Sequence, residues 1–247
     1  MLFEVSKLTR SYGSKNTQVN ALKSVSLSLE KGEILGIVGE SGSGKTTLLK
    51  LLSGLETPDQ GEIKLNGRIL AEKRTKEDYR AIQMIFQEPV ASFHPRRTIA
   101  ASIREALRNL RGRDARLDAE ELSRMVGLTP DLMERRPAQL SGGQCQRFAI
   151  ARALAVEPNI LLCDEITSAL DVSTQAQILR LVSDICRKSG TSAIFVSHDL
   201  AVVSVLCDRI MVMKDGAVIE EGSARQIMEN PRDAYVKKLI ESVMEIK

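Results

Sequence analysis

No apolar run in this sequence approaches the roughly 20 residues needed to span a bilayer. The longest, such as 34–38 and 194–196, are strand-sized, so a membrane role has to come through a partner. The N-terminus, Met-Leu-Phe-Glu-Val-Ser-Lys-Leu, has no basic segment followed by an apolar stretch, which argues against a secretory signal. Cysteine is sparse and scattered: Cys145, Cys163, Cys186 and Cys207 form no CxxC pair. The two histidines do not stand at ligand spacing from them. That pattern excludes a disulfide framework or a cysteine-based metal site and reads as reduced thiols. An excess of one charge sign is missing too. The formal net charge of +3 is too small to argue for nucleic acid or a lipid surface. There is no internal repeat and no low-complexity tract.

What is present is an ordinary globular composition, 43% hydrophobic and 27% charged over 247 residues, enough for a real core. Residues 2–8 and 25–29 alternate apolar and polar, as half-buried antiparallel strands do. Residues 34–38 form a continuous apolar run, expected for a strand covered on both faces. It leads into a glycine-rich turn and a periodic helix over 46–55. Further buried strands are expected at 160–163 and 192–196, with a helix over 174–187 between them. Strands alternating with helices predict a parallel, doubly wound α/β sheet. The stretch 88–156 is rich in Ala, Leu, Arg and Glu and reads as a helical insertion. Short strands return at 209–213 and 217–220 around an Asp215-Gly216 turn, and two short helices close the chain.

Residues 39–46 read Gly-Glu-Ser-Gly-Ser-Gly-Lys-Thr. This is the P-loop pattern, in the required place between a strand and a helix. Its glycines allow a tight turn that points backbone N–H groups inward, and the following helix adds its positive end. ATP is the expected ligand, with Gly39, Glu40, Ser41, Gly42, Ser43, Gly44, Lys45, Thr46 and Thr47 around its phosphates. Lys45 supplies a point charge to the β- and γ-phosphates, and Thr46 a hydroxyl to Mg²⁺. The bland alternative is a glycine-rich turn with an incidental lysine. A second candidate is the apolar strand that ends in Asp164 and Glu165. Asp164 can hold Mg²⁺ through water, and Glu165 can orient or deprotonate the attacking water. Taken alone, a strand-end acidic pair is usually just solvated.

Residues 140–144 read Leu-Ser-Gly-Gly-Gln. With this pentapeptide the sequence resembles the ABC ATPase family from about Phe3 to Leu239. The resemblance implies a RecA-like parallel core with a P-loop, an antiparallel β subdomain and an inserted helical subdomain. The implied boundaries are 1–87 for the β subdomain and P-loop core, 88–157 for the helical subdomain, 158–222 for the rest of the core and 223–247 for a helical tail. It also implies roles for further residues. Tyr12 stacks on adenine. Gln87 links the γ-phosphate and Mg²⁺ to the helical subdomain. Asp171, in Ser-Ala-Leu-Asp, lies in a loop that crosses to the partner subunit. His198 contacts the γ-phosphate. Ser141, Gly142, Gly143 and Gln144 act on ATP held by the P-loop of a second subunit facing head-to-tail. By themselves, Ser141 reads as an ordinary helix N-cap, His198 as a packing residue, and Tyr12 and Gln87 as unremarkable surface residues.

The run Ala169-Leu-Asp-Val-Ser-Thr-Gln-Ala-Gln, the stretch Phe86-Gln-Glu-Pro, the stretch Ser197-His-Asp-Leu-Ala-Val-Val and the tail with Asn230-Pro231 and Tyr235 look like the dipeptide, oligopeptide and nickel importer group. Two features depart from it. Phe93-His94 stands where the group has Leu-Asn, and Asp233-Ala-Tyr-Val where it has His-Pro-Tyr-Thr. The chain also stops short of a cysteine-containing extension, which leans the expectation slightly toward the nickel or metal-chelate branch. Membership of the group implies a second, different ATPase subunit, two permease subunits and an extracytoplasmic binding protein, with this chain on the cytoplasmic face of the inner membrane. Nucleic acid is not an expected partner. The rivals are an exporter ATPase and a DNA-maintenance ATPase. The latter needs a long coiled coil that 87–140 is too short to hold.

Overall fold

The computed structural model describes residues 1–13, 17–112, 116, 118–167 and 172–244. In chain order its strands and helices are β1 (Phe3–Tyr12), β2 (Val19–Leu29), β3 (Ile34–Val38), α1 (Lys45–Ser53), β4 (Gln60–Leu65), β5 (Arg68–Ile69), α2 (Lys76–Ala81), β6 (Ile82–Ile85), α3 (Ile99–Leu110), α4 (Ala119–Met125), α5 (Gly142–Ala155), β7 (Ile160–Asp164), α6 (Val172–Ser189), β8 (Ser192–Ser197), α7 (Leu200–Leu206), β9 (Arg209–Lys214), β10 (Ala217–Ser223), α8 (Ala224–Glu229) and α9 (Ala234–Met244). They fall into two compact units, Met1–Lys73 with Ser192–Lys247, and Arg74–Thr191. Among the described residues no helix is long and apolar enough to cross a membrane.

The first unit holds two sheet systems. In one, β1 pairs antiparallel with β2 and with β4, and β4 pairs with β5. In the other, β3 runs parallel between β8 and β9, and β9 turns back antiparallel to β10. Every residue of β3 is buried, as its unbroken apolar run predicts. Helix α7 lies close against this strand. A Cβ on Gly36 would come within 2.0 Å of Val203 Cγ1, so only glycine permits the approach. Asp199 starts α7 by accepting from the Ala201 and Val202 N–H groups.

In the second unit β6 runs parallel to β7, from Ile82 opposite Ile160 to Ile85 opposite Cys163. Between 88 and 156 the described residues form only helices and turns. Phe148 on α5 is fully buried there and is the largest anchor of this unit's core.

Two differences from the sequence-based expectation have separate physical causes. Strands β1 and β2 run to Tyr12 and back to Val19, well past the alternating segments. Their ladder shifts register between Val5 and Leu8 and again around Arg10, and Lys7 and Ser24 take positive φ. Each bulge inserts a residue and breaks the period-2 pattern that announces a strand. Strands β4 and β6 were not anticipated at all. β6 has four residues and follows directly on α2, leaving too little pattern to read.

All four cysteines are buried and none is in a disulfide. Burial pushes the Cys145 thiol up to about 11 and the Cys186 thiol up to about 12. A raised pKa means less thiolate. At pH 8 Cys145 is reactive in only on the order of one molecule in a thousand. A thiol reagent at pH 8 is expected to label the folded chain slowly and all four sites rapidly in urea. Fast labelling of Cys145 or Cys186 without denaturant would contradict the packing described.

Candidate functional site

In the first unit, β3 ends at Val38 and the chain turns through Gly39–Gly44 into α1. The turn depends on two glycines. Gly44 has φ +99°, and a Cβ there would lie 2.5 Å from the Ala21 carbonyl oxygen. A Cβ on Gly39 would lie 2.2 Å from the Met213 carbonyl oxygen. Lys45 is buried, and its ammonium donates to the carbonyls of Gly39 at 2.7 Å and Glu40 at 2.9 Å. No side chain caps the N-terminus of α1, and its first turn carries no acid. Its positive end therefore meets no capping side chain and no acid from its own first turn. Ser43 Oγ is buried with no hydrogen-bond partner. A buried orphan hydroxyl normally marks a position that another group fills. A buried ammonium, a helix start without a side-chain cap, an orphan hydroxyl and glycines with no room for a side chain together fit a phosphate chain.

The loop is braced from outside by a segment that sequence reasoning recognised only as a turn. Gly216, between β9 and β10, donates its N–H to the Ser43 carbonyl at 3.1 Å, and the Lys23 backbone N–H donates to the Gly216 carbonyl at 2.7 Å. The usable signal was the Asp215-Gly216 pair, whose φ angles are both positive. Its tie to residue 43 is long-range and carries no local pattern.

Also in this unit, Tyr12 ends β1. Its hydroxyl bonds the Glu56 carboxylate, and the Arg10 guanidinium lies 5.0 Å from its ring centroid. His198 is exposed directly after β8. Thr46 is exposed and Thr47 half-buried, both in the first turn of α1.

In the second unit, β7 delivers Asp164 to its last position, buried, with Glu165 immediately after it. Glu165 has φ +42°, a left-handed conformation that costs a non-glycine residue about 1–3 kcal/mol and concentrates at functional positions. Gln87, exposed two residues past β6, donates its amide to Glu165 Oε2 at 3.4 Å. Parallel pairing of β6 and β7 thus brings Gln87, Asp164 and Glu165 to one end of the same pair of strands. Ser141 caps α5. Its Oγ accepts from the Gln144 N–H at 3.2 Å, and Gln144 Oε1 accepts from the Ser141 N–H at 3.0 Å. Gly142 and Gly143 form the helix's first turn, and a Cβ on Gly143 would lie 3.1 Å from Thr174 Cγ2. Asp171 lies outside the described residues.

This fold and these motifs define a P-loop nucleoside triphosphatase of the α/β class. More narrowly, the chain belongs to the ABC transporter family, whose profile matches residues 22–168. It is an ABC-type ATPase whose hydrolysis is coupled to transport. The oligopeptide transport ATP-binding protein OppF of Haemophilus influenzae is 41% identical over 98% of this chain and 78% of its own. OppF of Salmonella typhimurium is 43% identical over 91% of this chain and 70% of its own. The dipeptide transport ATP-binding protein DppF of H. influenzae is 41% identical over 92% and 71%. Among solved structures, the dimeric post-hydrolysis ATP-binding cassette MJ0796, bound to ADP and phosphate, superposes with a TM-score of 0.80 at 32% identity, covering 91% of this chain and 99% of that one. The structure of cbiO1 from Clostridium perfringens, part of the ABC transporter complex cbiONQ, gives 0.79 at 25% identity, with coverage of 99% and 96%.

The glycines of the loop should not be equivalent. Gly44→Ala meets the Ala21 carbonyl and adds left-handed strain of about 1–2 kcal/mol. Gly42→Ala has φ +80° but nothing within 4 Å, so it adds strain alone. Nucleotide titration and thermal melting should show Gly44→Ala losing both affinity and stability. Gly42→Ala should keep more of each.

Proposed function

We propose that this chain is the ATP-hydrolysing subunit of a peptide importer. Lys45 carries most of the weight. Its ammonium bonds the Gly39 and Glu40 carbonyls of the same loop that carries the orphan Ser43 hydroxyl, which puts a positive charge inside the loop. The oligopeptide and dipeptide names of relatives at about 40% identity, spanning nearly the whole chain, support peptides over the nickel branch.

The residue roles follow from the chemistry of each group. Gly39, Glu40, Ser41, Gly42, Ser43, Gly44, Lys45, Thr46 and Thr47 surround the triphosphate, with backbone N–H groups and the Lys45 charge on its oxygens. Tyr12 offers its ring to the adenine. Thr46, Asp164 and Gln87 would hold Mg²⁺, a hard cation that takes oxygen ligands, and it would supply charge neutralisation to the phosphates. Glu165 orients the attacking water and takes its proton, with Gln87 bonded to its carboxylate. His198 donates to the γ-phosphate. Ser141, Gly142, Gly143 and Gln144 serve the nucleotide of a second, different ATPase subunit, and Asp171 meets that subunit. Hydrolysis removes the contacts to the γ-phosphate and loosens the pair, a switch of the order–release type. Two permease subunits and an extracytoplasmic binding protein complete the complex, and the chain works on the cytoplasmic face of the inner membrane.

Glu165→Gln removes the proton acceptor while keeping size and hydrogen bonding. Turnover should fall by about 100-fold or more. ATP binding should persist, and size-exclusion in ATP should retain the paired subunits. Turnover at the parent rate would remove Glu165 from the role of base. In the reconstituted complex, peptides should stimulate hydrolysis and nickel or its chelates should not. Stimulation by nickel alone would reverse the cargo assignment.

A further inference from the structure

Helix α9 reaches the nucleotide loop through the Tyr235 side chain. The Tyr235 hydroxyl accepts the Glu40 N–H at 3.3 Å. The same Glu40 residue uses its carbonyl to hold the Lys45 ammonium. One residue of the loop is therefore tied on one side to the tail and on the other to the phosphate-binding lysine. The tie is held from several directions. The Lys214 ammonium sits 4.5 Å from the Tyr235 ring centroid, a cation–π contact that fixes the ring. The Tyr235 N–H donates to Asp233 Oδ1 at 2.7 Å. The N–H groups of Arg232 and Asp233 both donate to the buried Glu220 carboxylate on β10. Lys214 ends β9, one residue past Met213, whose carbonyl faces Gly39. Two residues further on, Gly216 bonds Ser43. Gly216 in the β9–β10 turn and Tyr235 thus hold the loop by hydrogen bonds at Ser43 and Glu40, while Met213 on β9 closes off the side-chain space at Gly39. Burial, with the charges of Glu40 and Asp215 adding to it, pushes the phenol's pKa up and keeps it protonated.

We propose that Tyr235 is a positioning residue of the nucleotide site: its hydroxyl fixes Glu40 so that the loop from Gly39 to Lys45 is preorganised for the phosphate chain, and α9 is thereby coupled to nucleotide binding. This rests on the assignment of residues 39–47 to ATP. A preorganised loop spends less binding free energy on ordering, so the effect falls on affinity and not on chemistry. Coupling is reciprocal: if the tail favours nucleotide, nucleotide steadies the tail.

The test uses the full chain and Tyr235→Phe, which keeps the ring over Lys214 and deletes only the hydroxyl. Titration with ADP and Mg²⁺ should show a Kd raised about 3- to 10-fold, the loss of one hydrogen bond. In the assembled transporter KM for ATP should rise by a similar factor, with kcat moving less than about 2-fold. Nucleotide should slow hydrogen exchange over 234–241 in the parent and do so less in the variant. The melting temperature without nucleotide should stay within about 2 °C. An unchanged Kd overturns the inference, as does a lowered nucleotide-free melting temperature with the nucleotide-induced rise intact, since that describes an anchor for α9 and nothing more. Lys45→Ala separates the two levels. If it abolishes binding while Tyr235→Phe binds like the parent, only the role of Tyr235 fails. If Lys45→Ala binds like the parent, the site assignment fails and the inference with it.

Discussion

A buried ammonium must find oxygen, and in this protein it finds two backbone carbonyls on the loop that leads to it. Leaving such a charge unpaired would cost several kcal/mol. The Lys45 contacts to Gly39 and Glu40 therefore constrain the loop as much as they satisfy the lysine. That closure explains why the neighbouring positions are what they are. The chain must reverse within six residues, so Gly44 takes a conformation that L side chains avoid, with the Ala21 carbonyl closing off the space a side chain would fill. Strand β3 must deliver the loop rigidly, so it is buried on both faces. The result is a cradle with positive character and one unsatisfied hydroxyl, built before any anion arrives.

The acidic half of the chemistry follows a different logic. Asp164 and Glu165 are adjacent in sequence but differ in environment. Asp164 completes a buried strand, whereas Glu165 is half-buried in a strained left-handed conformation just beyond it. Continuing the strand would have sent Glu165 to the opposite face. The left-handed residue breaks the alternation, and the Gln87 amide meets the redirected carboxylate. Two carboxylates in different surroundings thus come from one dipeptide because the backbone changes conformation between them.

The loop at residues 39–46 was legible because its pattern is local: the spacing of glycines, lysine and threonine is set by a single turn between β3 and α1. Strand β3 was legible for the same reason, as five apolar residues in a row. The ATPase signature at 140–144 was readable as a pentapeptide, and the family comparison agrees with it. The strands that bulges interrupt were only half visible, because Lys7 and Ser24 shift the pattern that carries the signal. The braces at Met213, Gly216 and Tyr235 were invisible as braces. Their partners lie more than 170 residues away, and neither propensity nor periodicity reports a contact at that separation.

Ser141 shows that the bland and the specific interpretation of a residue need not compete. In the structure it is a helix cap, with its oxygen accepting from the Gln144 N–H. A hydroxyl has one proton to give besides two lone pairs. Capping occupies a lone pair and leaves the O–H to donate, and a phosphate oxygen needs a donor. The reciprocal bond from the Ser141 N–H to Gln144 fixes the backbone on the other side. The capping box therefore orients the serine and straightens the first turn, where two glycines would otherwise loosen it. In the proposed role, an anion approaching this helix start meets an oriented hydroxyl at its positive end, so that the capping box and the last four residues of the signature coincide at Ser141–Gln144.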